Sequence, residues 1–130
     1  MIDLGTLGGD MSLASDVNAS GEVVGLSNIA PDGPFHAFSW TQKGGMVDLG
    51  TLGGVGSSAV AVSPSGQVVG EATTAAGRGH AFSWTRTGGM VDLGTLGGSD
   101  SLANAVNARG DVAGSSFTTS GEFHATLWHT

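Results

Sequence analysis

Apolar and polar residues alternate along this chain in short runs, and the runs return at a fixed interval. In HAFSW, residues 36–40, a period of two sets His36, Phe38 and Trp40 on one face and Ala37 and Ser39 on the other, the pattern of a β-strand. The string returns as HAFSW at residues 80–84 and, degraded, as HATLW at residues 124–128. Before each copy stand a small apolar run (residues 12–18, 57–63 and 101–107), a turn rich in Asn, Ser and Gly, and a V-V-G or V-A-G run (residues 22–27, 67–72 and 111–116). After the first two copies come a Gly-Gly turn and a further apolar run, at residues 46–52 and 90–96. No window carries a helical period of useful length. The chain is predicted to be all-β, with four short strands to a unit.

The interval is set by DLGTLGG, which starts at Asp3, Asp48 and Asp92, spacings of 45 and 44 residues. Such a period marks a repeat architecture. Units open at Ser12, Ser57 and Ser101 and read S-x-A-x-x-V-[NS]-x-x-G-x-V-[VA]-G, a variable loop, H-A-[FT]-x-W, a turn, then G-G-M-V-D-L-G-T-L-G-G. The third copy reaches residue 130 before its DLGTLGG, and the missing piece stands at residues 1–9 in a circularly permuted frame. The expected organisation is a single repeat domain over residues 1–130, with repeats at 12–56, 57–100 and, incomplete, 101–130. Residues 1–11 are expected to act as the outer strand that completes the last blade.

Four antiparallel strands in about 44 residues is the size of a β-propeller blade. Closed propellers take about four to eight blades, so three leave open ends. The expected solution is a homodimer of six blades in which residues 1–9 cross to the partner and hide a sheet edge. A β-trefoil or β-prism, closing three repeats within one monomer, is the alternative.

Composition narrows the partners. Glycine is 24 of 130 residues, but apolar residues keep register with it, so the glycines read as turn and bulge positions rather than as a linker. A net charge of −7 with four Lys and Arg repels phosphate backbones, so nucleic acid is not an expected partner. The absence of cysteine excludes disulfides and thiolate chemistry. No apolar run approaches the roughly 20 residues of a membrane span, and residues 1–3 do not begin a signal peptide.

The strings G-x-V-V-G, H-A-F-x-W and D-L-G-T-L-G-G, in this order and at this spacing, resemble the bacterial HAF repeat, an extracellular repeat family whose name comes from the motif at His36, Ala37 and Phe38. The resemblance covers the whole chain, and the third copy departs from it at Thr126 and Leu127. It implies an extracellular or cell-surface parent protein. It brings no catalytic or ligand-binding residues to transfer.

His36, His80 and His124 are three symmetric imidazoles, a residue type that binds metal, and Asp3, Asp48 and Asp92 are three symmetric carboxylates. A residue that recurs in every unit serves a need common to every unit. These six, with Trp40, Trp84 and Trp128, are therefore read as structural: aspartates accepting turn amides or pairing with the histidines, tryptophans buried between sheets. No metal, cofactor or catalytic residue is expected, because G-x-S-x-G, the phosphate-loop motif and D-x-D-x-D-G are all missing. Residues that differ between copies are the binding candidates, since loops tolerate variation that shared strands do not. They are Asp16 against Ala61 and Ala105, Glu71 against Leu26 and Ser115, Arg78 and Arg109 without equivalents, and Asp32 and Phe35 on the loop at residues 28–35. The expected function is a structural or recognition module that binds carbohydrate or another extracellular ligand on propeller loops or channel. The alternative is a hydrolase of glycosides or esters at the channel mouth, by fold analogy.

Overall fold

The computed structural model describes residues 1–129; Thr130, the last residue of the third unit, lies outside the described residues. The first unit forms β1 (Ser12–Val17), β2 (Val23–Asn28), β3 (Phe35–Thr41) and β4 (Gly45–Asp48). The second forms β5 (Gly53–Val62), β6 (Val68–Thr74), β7 (Gly79–Thr85) and β8 (Gly89–Gly94), and the third β9 (Gly97–Val106), β10 (Val112–Thr118) and β11 (Phe123–Trp128). Each unit is one antiparallel meander, so the chain is three sheets of four, four and three strands, without helices among the described residues.

The motif S-x-A-x-x-V looks wrong for a strand, because a spacing of three sets Ala and Val on opposite faces. A β-bulge resolves this in every copy. Pairing skips Ser15 between Ala14 and Asp16, Val60 between Ala59 and Ala61, and Asn104 between Ala103 and Ala105. The extra residue returns Val62 to the face of Ala59, and both lie in one apolar cluster. Val106 likewise rejoins Ala103. Opposite the bulges stand Gly25, Gly70 and Gly114, where a β-carbon would strike the carbonyl oxygen of Leu13, Ser58 or Leu102. The last glycine of each V-[VA]-G is therefore a matter of space.

The sheets stack in series. Val24, Ala37 and Leu49 of the first meet Ala59, Val62, Val68, Phe82 and Trp84 of the second. Val69 and Ala81 of the second meet Ala103 and Val112 of the third, with Trp128 packed alongside. The small apolar residues of β5 and β9 let these strands lie against the preceding sheet. The two end faces are open: Val17 of β1 is 60% exposed where its equivalent Val62 is 8%, and Ala125 is exposed where Ala37 and Ala81 are buried.

One sequence expectation needs correction. The fourth strand was expected to run to Leu52 and Leu96, but it ends at Asp48 and Gly94. Gly50 and Gly94 have φ of 85° and 78°, and the chain turns there toward the next sheet. Residues 1–9, expected to pair as an outer strand with a second copy, form no strand within the single chain.

Candidate functional site

In the first two units the repeated polar residues are occupied with one another. His36 Nδ1 lies 2.9 Å from Asp48 Oδ1, and His80 Nδ1 lies 2.9 Å from Asp92 Oδ2. The same carboxylates accept the Gly50 and Gly94 amides at 2.8 Å, which holds the turn that leaves each sheet. Ser57 and Ser101 tie neighbouring sheets together. Ser57 Oγ accepts the Ala37 amide at 2.8 Å and donates to the Gly50 carbonyl at 2.5 Å; Ser101 Oγ accepts from Ala81 at 2.9 Å and donates to Gly94 at 2.7 Å. Trp84 is buried and carries the Arg86 guanidinium over its ring at 5.7 Å, while Trp40 and Trp128 are half-buried. Among the described residues, no three His, Asp or Glu side chains converge as a metal-binding group.

The binding candidates separate into distinct places. Phe35 and Glu71 meet in one cleft where the first sheet abuts the second, with Gly56, Ser57, Ser58 and Thr73 completing the wall. Glu71 reaches it from β6, where the first sheet has Leu26. Its carboxylate lies against Gly79, at which a β-carbon would come within 2.6 Å of Glu71 Oε2. The Gly79 amide donates to Asp100 Oδ2 at 2.9 Å, so two carboxylates flank one glycine. Their environments push them in opposite directions. Burial raises the Glu71 pKa above its ordinary value, and the Asp100 charge adds to this. Asp100 is held below its ordinary value by hydrogen bonds from the Ser99 side chain and the Gly79 amide, against a smaller opposing effect of burial, with Arg78 and His80 adding favourable charge. Arg78 acts on Asp100 through its charge and does not line the cleft.

Asp16, Asp32 and Arg109 do not join it. Asp16 Oδ2 accepts the Val62 amide of the second sheet at 3.0 Å, which makes it an inter-sheet brace. Its other surroundings are an apolar groove with Met1, Ile2, Leu4, Val17, Val23 and Trp40. Asp32 stands on an exposed turn with φ of 61°. Arg109 reaches Asp111 Oδ2 at 3.1 Å across its own hairpin turn. Asp111 is held low first by the Asn107 side chain, then by His129, with Arg109 contributing.

Sequence reasoning missed Glu22 as well as Gly79, and it left Asp100 outside the candidates. Glu22 is buried at the hairpin end of the first sheet, accepts the Ser39 hydroxyl at 2.5 Å, and faces Arg86 of the second sheet at 3.8 Å. The signal was present, since Glu22 aligns with Gln67 and Asp111, a polar position that changes between copies. No protein-family profile, curated protein or solved structure matches this chain.

Proposed function

We propose that the chain is a structural and recognition module of HAF-repeat type: three propeller blades that form half of a six-bladed ring, with a carbohydrate or similar polyhydroxylated extracellular ligand held in the Phe35 and Glu71 cleft. The observation that carries the binding reading is the place of Glu71, a carboxylate where the other copies have Leu26 and Ser115. Repeated polar groups of the first two units are spent on turns and sheet contacts, whereas Glu71 opens with Phe35 onto one cleft. An aromatic face beside a carboxylate and the Ser58 and Thr73 side chains suits a sugar, whose ring presents C–H groups to one and hydroxyls to the others. Serial face-to-face stacking of four-stranded meanders supports a propeller, because a trefoil or prism would bring the third sheet back onto the first, and the end faces are open instead.

Calorimetry against neutral oligosaccharides tests the binding reading. Binding should weaken at least tenfold in Phe35→Ala and in Glu71→Gln, and a panel that shows no binding to the intact protein defeats it. One observation favours glycoside hydrolysis as a second reading. Glu71 is raised and Asp100 lowered, and a divergent carboxyl pair is the arrangement from which a general acid and an ionised partner are made. Release of nitrophenol from aryl glycosides, lost in Glu71→Gln, would select it.

A further inference from the structure

We infer that residues 1–12 of one chain complete the open third sheet of a second copy, through an Asp3–His124 pair and a Ser12–Ala125 hydrogen bond that reproduce the two internal sheet junctions. The occupant is a second copy of this chain, because each half of the contact is already in place. Residues 3–9 carry the same internal hydrogen bonds as the connectors at 48–54 and 92–98. Gly5 N donates to Asp3 Oδ1 at 2.9 Å, Thr6 Oγ1 to the Gly9 carbonyl at 2.9 Å, and Ser12 Oγ to the Gly5 carbonyl at 2.7 Å. In the connectors the matching donors are Gly50 and Gly94, Thr51 and Thr95, and Ser57 and Ser101.

Two contacts of the internal junctions are missing here, and their other halves stand together on β11. Asp3 lacks a histidine, and Ser12 lacks the Ala amide that Ser57 and Ser101 accept. His124 touches Glu122 through Nε2 at 3.5 Å, and among the described residues its Nδ1, the atom that binds aspartate in the other copies, has no hydrogen bond. Ala125 pairs with Ser115 in the register that Ala37 keeps with Leu26 and Ala81 with Glu71. Its amide therefore faces the free edge of the sheet. Leu127 adds an apolar side chain, 55% exposed, where the other copies have Ser39 and Ser83. The surface on the other side of the seam is apolar too, at Ala14 and Val17. The contact is head-to-tail, so two copies form it twice when they close a ring.

The six-bladed closure rests on the propeller reading; the seam itself does not. Light scattering across a concentration series reads both, on the full chain of 12.8 kDa. A two-chain species is expected. Among the described residues the Ser12 hydroxyl bonds only the Gly5 carbonyl, so Ser12→Ala should fold, as circular dichroism will report. It should weaken association roughly a hundredfold, since each ring contains the seam twice. Asp3→His and His124→Asp should each weaken it roughly tenfold, and the double exchange, which returns the pair but not the Asp3–Gly5 bond, should recover part of the loss. A monomer at every concentration overturns the inference, as does association indifferent to these changes. Open chains that lengthen with concentration yet respond to the exchange support the seam and defeat the six-bladed ring.

Discussion

The Ala37 amide donates to Ser57 Oγ at 2.8 Å across the boundary between the first and second sheets, and the same hydroxyl donates to the Gly50 carbonyl. Ser57 and Ala37 are buried. One side chain therefore satisfies two backbone groups that belong to the preceding unit. Ser57→Ala leaves both without partners and should lower stability by about 2–3 kcal/mol in urea denaturation, with Ser101→Ala similar. Ser12→Ala loses only the Gly5 bond, on a partly exposed surface, and should cost the isolated chain less than about 1 kcal/mol. Equal losses at all three serines would contradict the latch.

Gly70 presses on the Ser58 carbonyl at the bulge, so Gly70→Ala must displace backbone rather than a side chain. A loss of about 3 kcal/mol or more is expected, as for an overpacked core. Gly77→Ala is the control. Its φ is 81°, yet nothing lies within contact of an added methyl, so only the conformational cost of about 1 kcal/mol applies.

Asp48 holds the Gly50 amide as well as His36, whereas among the described residues the His36 ring holds only Asp48 by hydrogen bond. Asp48→Ala should therefore cost about 1–2 kcal/mol and His36→Ala less than about 1 kcal/mol, measured as shifts of the denaturation midpoint at fixed m-value.

Glu71 and Asp100 give the stability profile two slopes of opposite sign. Folding raises the Glu71 pKa from 4.5, so the folded state holds that proton more tightly and stability declines as pH rises from about 4.5 through the raised value. Folding lowers the Asp100 pKa from 3.8, so its contribution is present above about 3.8 and lost as pH falls through the lowered value. Glu71→Gln should abolish the first slope and make the protein more stable at neutral pH. In Asp100→Asn, a carboxyl NMR titration should find Glu71 lowered toward its ordinary value but still above it, because burial is the larger cause and persists. A Glu71 titration unchanged in Asp100→Asn would refute the proximity of the two groups.

The strand pattern was legible because apolar period and turn glycines repeat: Gly21, Gly66 and Gly110 each take positive φ in the hairpin that follows Asn18, Ser63 and Asn107. The fourth strand was overextended because Leu52 and Leu96 continue the apolar run, while the φ of Gly50 and Gly94 that ends it is invisible in a hydropathy pattern. Glu71 could be found as a departure from the repeat and Phe35 as an aromatic on the variable loop, although Phe123 stands at its position in the third copy. Their meeting could not, since it depends on which edge of the first sheet abuts β6. Asp16 shows the converse: it departs from the repeat too, but the departure serves an inter-sheet hydrogen bond. Ser57 and Ser101 were read only as the start of a unit, because a hydroxyl that serves two backbone groups looks like any other serine until neighbouring sheets are stacked.

The identical connectors at residues 3–9, 48–54 and 92–98 have a consequence for how such genes change. A duplication or deletion of one whole unit, wherever its breakpoints fall, rebuilds a serine, an aspartate and a glycine at the new junction in the order the old ones had. Whole units are then interchangeable at their junctions, and the number of units is not fixed by the junctions themselves.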